Sequence, residues 1–165
     1  MGTRSRIGLK VNDTYISVYC HWDGYASHNG AILLAHYNDE SKVEELTCLG
    51  DMSILGKDIG VKHGFSSQDM GIPYEKFEEL YGDMCTFYGR DRNEINTGFI
   101  TADSFKDFLD QCESCGAEYY YIFNNGQWLY GSLHEGDEEY YTLVSLSTVL
   151  ELSLIHISEP TRPRL

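Results

Sequence analysis

Thr14-Tyr-Ile-Ser-Val-Tyr-Cys-His-Trp-Asp-Gly-Tyr25 decides how the rest of the chain is read. Its side chains alternate with period two, as in a pleated strand, and do not recur at helical spacing. Ile16, Val18, Cys20 and Trp22 fall on one face; Tyr15, Ser17, Tyr19 and His21 fall on the other, with Asp23 beyond them. Upstream, Arg6-Ile-Gly-Leu-Lys-Val11 alternates in the same way, and Asn12-Asp13 supplies a tight turn, so the two segments pair as a hairpin. The strand runs out at His21-Trp22-Asp23-Gly24-Tyr25, where turn formers, aromatic rings and ionisable groups crowd together.

A second hairpin lies near the other end. Glu118-Tyr-Tyr-Tyr-Ile-Phe123 and Gln127-Trp-Leu-Tyr-Gly131 flank Asn124-Asn-Gly126, and Asn-Gly suits a turn that needs positive φ. Between the hairpins the spacing predicts four helices. Ser27 suits the N-cap of one running through residues 31–37, and Ser41-Lys-Val-Glu44 is a capping box for a second. Pro73 suits the first turn of a third that buries Phe77, Leu80 and Tyr81. Thr101 or Asp103 caps a fourth that buries Phe105, Phe108, Leu109 and Cys112. Residues 51–72 and 82–98 read as irregular, and Tyr140–Val144 suits a fifth strand or a helix start equally. The expectation is an α+β fold: an antiparallel sheet built from an N-terminal and a C-terminal hairpin, with about four helices packed on one side, as a single domain over residues 1–152.

A chain of 165 residues can bury a proper core, and 13 Tyr with 13% aromatic residues argue against disorder. No apolar run approaches the roughly 18 residues that span a bilayer, and no secretory signal opens the chain. Five scattered Cys, an odd number, read as reduced thiols. The net charge of −14, from 12 basic and 26 acidic residues, disfavours direct contact with nucleic acid or acidic membranes and favours a cationic partner.

His21 and Asp23 are the first candidate pair, because a carboxylate beside an imidazole orients it as a base or ligand. With Arg4, Arg6, Tyr19, Trp22 and Tyr25 they describe a strand-end site suited to an anion or nucleotide: guanidinium for phosphate, aromatic rings for stacking. A small hydrolase using His21 and Asp23 is a further reading. No P-loop, G-x-G-x-x-G or G-x-S-x-G occurs. His28 and His36 share a helix face but stand about 12 Å apart along its axis, too far for one ion. Cys112-Glu-Ser-Cys115 lacks the second pair that zinc needs and follows a helix instead of preceding one. No metal or cofactor is therefore expected.

The second candidate is a set of acidic rows. Asp103, Asp107 and Asp110 recur at helical spacing on the predicted fourth helix, and Glu75, Glu78 and Glu79 on the third. Carboxylates at that pitch, about 5–6 Å apart, can occupy a groove made for phosphates.

Met1-Gly-Thr-Arg-Ser-x-Ile-Gly8, Tyr19-Cys-His-Trp-Asp-Gly-Tyr25 and Leu49-Gly-Asp-Met-Ser53 resemble a family of small, mostly uncharacterised proteins encoded by bacteriophages and prophages. The resemblance covers roughly residues 1–55 and brings no catalytic residues with it. It implies an accessory protein in the bacterial cytoplasm, and by association an anti-defence inhibitor of the anti-CRISPR kind. Such a protein would bind a host nucleic-acid-processing protein, such as a defence nuclease, through an acidic surface that mimics nucleic acid. The alternative function is sequestration of a small nucleotide signal at the strand-end site. Separately, Ser153-Leu-Ile-His-Ile-Ser-Glu-Pro-Thr-Arg-Pro163 resembles translated sequencing-adapter read-through, so residues 153–165 are expected to be a non-native tail.

Overall fold

The computed structural model describes residues 2–133 and 143–151. The alternating segments form β1 (Ser5–Val11) and β2 (Thr14–Cys20), antiparallel across a turn in which Asn12 takes φ 55°. A π-helical turn (Ala26–Gly30) runs into α1 (Ala31–His36), followed by α2 (Glu40–Cys48) and β3 (Met52–Ile54). Next come α3 (Ser67–Met70), α4 (Tyr74–Tyr81), β4 (Thr86–Phe87) and α5 (Tyr88–Arg92). Then follow β5 (Ile100–Ala102) and α6 (Phe105–Ser114). The tyrosine-rich hairpin is β6 (Tyr119–Asn124) and β7 (Gln127–Ser132), with Asn125 and Gly126 both at positive φ as its two-residue turn requires. Val144–Ser145 forms β8, and residues 146–151 are helical, so the last predicted segment is a brief strand and then a helix.

The fold is α+β, with the two hairpins at the heart of one sheet of order β4-β3-β2-β1-β6-β7-β8 and β5 alongside β2. The hairpins join through a parallel pairing of β1 with β6 that sets Ile7 opposite Tyr121; β2 and β3 are also parallel. The sheet is therefore mixed where an antiparallel one was expected.

The expected single helical layer becomes two. On one face Ile7, Val18, Cys20, Tyr121 and Phe123 pack beneath Leu33 and Tyr37 of the α1 segment and Val43 and Leu46 of α2. On the other, Tyr15, Tyr120 and Ile122 pack against Phe108 and Cys112 of α6. The cause is in the strands: β6 is apolar or aromatic at both parities, so each face needs cover. Buried Trp128 links the C-terminal hairpin to the first layer, its Nε1–H donating to the Tyr37 carbonyl at 2.8 Å.

Residues 51–72 are more ordered than their glycines suggest. They contain β3 and α3, and the loop between is fixed by two adjacent residues of α5. The Asp91 carboxylate, wholly buried, accepts from the amides of Phe87 (2.7 Å) and His63 (3.1 Å) and from Arg90 Nε (2.9 Å). Arg90 also donates to the carbonyls of Ile59, Gly60 and Cys85. His63 Nδ1 lies 2.8 Å from the Val61 carbonyl, which can only accept, so Nδ1 carries the proton and Nε2 accepts from the Thr86 hydroxyl. The ring stacks on Tyr81 with centroids 4.9 Å apart. This imidazole is a structural strut.

The helix starts differ in detail from expectation. Asp39, not Ser41, caps α2, and Ser104, not Thr101 or Asp103, caps α6 by accepting from the Asp107 amide. Gly30, not Ser27, precedes α1, and Leu80 of α4 is exposed. The residues expected to be a non-native tail lie outside the described residues, as do 140–142 of the predicted last segment. Among the described residues no helix is long and apolar enough to cross a membrane.

Candidate functional site at the end of β2

Alternation along β1 and β2 sends Arg4, Arg6, Tyr19 and His21 to the α6 side of the sheet. Arg6 faces Tyr19 across the ladder and is almost fully buried, donating through Nε to the Ser17 hydroxyl (2.9 Å) and through Nη2 to the Ser17 carbonyl (3.1 Å). Its Nη1 stands 3.7 Å from the Cys115 sulfur at the end of α6, where helix carbonyls favour a cation. Arg4, one turn of the pleat away, runs past Gly116; a Cβ there would come within 2.7 Å of its Nη1. Gly116 sits at φ 75°, so its lack of a side chain serves both the helix exit and the guanidinium's path.

The Arg4 Nε is buried without a hydrogen-bond partner. Among the described residues, neither Arg4 nor Arg6 has a carboxylate within ion-pair distance. Two neighbouring guanidiniums without a paired carboxylate are unusual in a chain with 26 acidic residues.

Tyr19 and His21 complete this side. The Tyr19 hydroxyl lies 2.7 Å from His21 Nδ1. Burial pushes the Tyr19 phenol up to about 12, against the opposing pull of Arg4, so it stays protonated. Burial first, and Arg4 second, hold the His21 imidazole below its ordinary value. His21 is therefore neutral near pH 7.

Sequence reasoning missed Asp51. β5 and β3 both pair with β2 but leave a gap at Tyr19, whose amide is satisfied by the Asp51 carboxylate at 2.8 Å. Burial raises the Asp51 carboxyl above its usual range, opposed by the Tyr19 amide and by Arg6. Nothing local in the sequence marks this contact, because it depends on where two separate strands stop.

The predicted cluster does not stay whole. β2 ends at Cys20, and Trp22, placed on the core face by alternation, is instead 41% exposed, edge-on to His21 with ring centroids 4.9 Å apart. Asp23 takes φ 56°, which swings it away from His21. Its carboxylate stands 4.0 Å from His28 Nε2 and accepts a long contact (3.5 Å) from the Tyr25 hydroxyl. The expected His21–Asp23 pair is not formed, so Asp23 does not orient the His21 imidazole. Arg4, Arg6, Tyr19, His21 and Trp22 come together; Asp23 and Tyr25 belong with His28.

The acidic rows are also divided. Asp107 and Asp110 lie on α6, while Asp103 precedes the helix. Glu75, Glu78 and Glu79 lie exposed on α4, a helix that packs through Phe77 and Tyr81 on His63 and not on the sheet face that carries α6. Asp110 pairs with Lys106 at 3.4 Å and Glu79 with Lys76 at 3.7 Å. Asp103, Asp107, Glu75 and Glu78 make no ion pair among the described residues.

The described residues hold no group of three or more His, Cys, Asp or Glu side chains placed to bind a metal ion. No family model matches this chain, and neither a curated protein nor a solved structure matches it.

Proposed function

We propose that this protein binds a small phosphorylated ligand of the nucleotide class at the Arg4–Arg6–Tyr19–His21 face and sequesters it. The observation that carries this reading is the pair of guanidiniums with no carboxylate partner among the described residues, one with a buried Nε that lacks a hydrogen bond there. A buried guanidinium N–H without an acceptor is costly, and a phosphate offers Arg both charge and paired acceptors. The neutral His21 ring adds a second polar group beside Arg4, and exposed Trp22 supplies a face on which a base can stack. Nothing at the face suggests turnover, so the reading is one of capture.

The test is calorimetry with a panel of mononucleotides, cyclic dinucleotides and ADP-ribose. Saturable binding that disappears in Arg4→Ala and weakens in Trp22→Ala, with both variants folded, is the expected result. Absence of binding across the panel, or binding indifferent to Arg4, defeats the reading.

A second reading is favoured by the net charge of −14 and by the exposed carboxylates of Asp107, Glu75 and Glu78 that no lysine engages. In it the chain is a phage-encoded anti-defence inhibitor of the anti-CRISPR kind, covering the basic groove of a nucleic-acid-processing protein. The split of the rows over two helices, and the Lys106 and Lys76 pairs, leave this reading less geometric support than the first. It requires affinity for a defence nuclease that falls steeply with salt and falls again in Asp107→Lys; salt-independent affinity rules it out.

A further inference from the structure

On the opposite face of the sheet from Arg4 and Arg6, a cavity of about 280 Å³ lies between the α1 segment and the β3–β4 end of the sheet. His28, Ile32 and His36 line it at four-residue spacing along one helical face; Leu55 and the Lys57–Asp83 ion pair line the far wall. Asp23 closes the near end.

The near end is built from the interior outward. Asn29 is wholly buried, and its Nδ2 donates to the Trp22 carbonyl at 3.3 Å, which fixes the amide's orientation because a carbonyl only accepts. The Asn29 Oδ1 therefore faces His28 Nδ1 at 3.0 Å, and Nδ1 must carry the proton. In the neutral ring with its proton on Nδ1, Nε2 is an acceptor; it stands 4.0 Å from the Asp23 Oδ2, and both residues line the cavity. Asp23 is held there by its own left-handed φ and by the Asn29 amide, which donates to the Asp23 carbonyl. The result is two acceptors side by side, one of them anionic, beside the apolar wall of Ile32 and Leu55. Among the described residues Lys57 is the only Lys or Arg lining the cavity, and Asp83 engages it at 3.3 Å.

We propose that this cavity is a second binding site, for the head of an alkyl ammonium or alkyl guanidinium. Two acceptors at that separation match a nitrogen cation that donates one N–H to each, and the short aliphatic stem lies along Ile32 and Leu55. The volume is at the small end for ligand sites, which suits one cationic head and its stem and excludes a dinucleotide. The same chemistry is carried by a free amine metabolite and by a Lys or Arg side chain of a partner protein.

The test is a chemical-shift titration of the labelled full chain with butylguanidinium and with butylammonium, using pentanoate as the anionic control. The expected result is saturable shifts at His28, Ile32 and Asp23 with either cation and none with pentanoate. Asp23→Asn keeps the tolerance for positive φ and should abolish them, and His28→Gln should weaken them at least several-fold. Shifts that do not saturate, that persist in Asp23→Asn, or that appear equally with pentanoate overturn the proposal. A parallel titration with a short arginine peptide separates the sources: tighter binding than butylguanidinium assigns the site to a protein side chain, weaker binding to a free small molecule. Arg4→Ala should leave every outcome unchanged, which keeps this site distinct from the phosphate face.

Discussion

The Tyr19 hydroxyl and His21 Nδ1 share a hydrogen bond of 2.7 Å, two residues along the same strand direction and on the same side of the sheet. That contact fixes the ring beside Arg4, which has no carboxylate within ion-pair distance among the described residues. The electrostatics of the β2 terminus follow from it.

The first prediction concerns pH. The His21 value is depressed by burial and by Arg4, so the unfolded chain takes up this proton more readily than the folded one. The corresponding stability is fully present above about 6.5, the unfolded value, and is lost as pH falls below it toward the folded value. Ring titration by NMR should place the His21 midpoint below that of an unfolded-chain histidine, and Arg4→Gln should move it upward. A midpoint indifferent to Arg4 would mean the guanidinium does not face the ring.

The second concerns the loop held by α5. Asp91→Ala strips a buried arginine of its partner and leaves two backbone amides unsatisfied, a change expected to cost about 3–5 kcal/mol. Urea denaturation should show this as a lower midpoint with little change of slope, and hydrogen exchange should speed up at residues 59–63. Equal stability would show that the carboxylate merely occupies its place.

A third prediction tests the bond between the C-terminal hairpin and the first helical layer. Trp128→Ala removes a buried ring and the donor to the Tyr37 carbonyl, with an expected loss of about 3–5 kcal/mol. Trp128→Phe separates the two contributions, because it keeps most of the apolar volume and should cost about 1–3 kcal/mol through the orphaned carbonyl.

Thiol chemistry supplies the fourth. Burial pushes Cys20 up to about 12 and raises Cys85 and Cys112 as well, whereas Cys48 is exposed. Native-state alkylation followed by mass mapping should therefore mark Cys48 first and reach the three buried thiols only in denaturant. Early labelling of Cys85 would mean that the Tyr37–Gly56–Cys85 contact opens readily.

The sequence announces its hairpins because their signals are local: alternation at Tyr15–Cys20, and Asn125-Gly126 at a turn that demands positive φ. It does not announce that β1 lies parallel to β6, since that pairing spans most of the chain and leaves no periodic mark. The site was half legible for a related reason. Extended backbone carried through residue 23 puts Asp23 beside His21, but one left-handed residue breaks the alternation and hands the carboxylate to His28. Asp51 at Tyr19 and Asn29 behind His28 are invisible in sequence, because their roles come from strand ends and a buried amide that only the assembled fold brings together.

The parallel seam between β1 and β6 also bears on how the chain is made. On the ribosome the first strand emerges with its own hairpin partner, yet its other edge stays bare until more than a hundred further residues have been synthesised. Until then a row of unpaired amides and carbonyls lies open to any passing strand, and contacts of such long sequence separation form slowly. Nascent chains arrested before Tyr119 should thus be held by chaperones or aggregate, while those extended past Ser132 should resist protease, so the β6–β7 hairpin is the step that commits this protein to its shape.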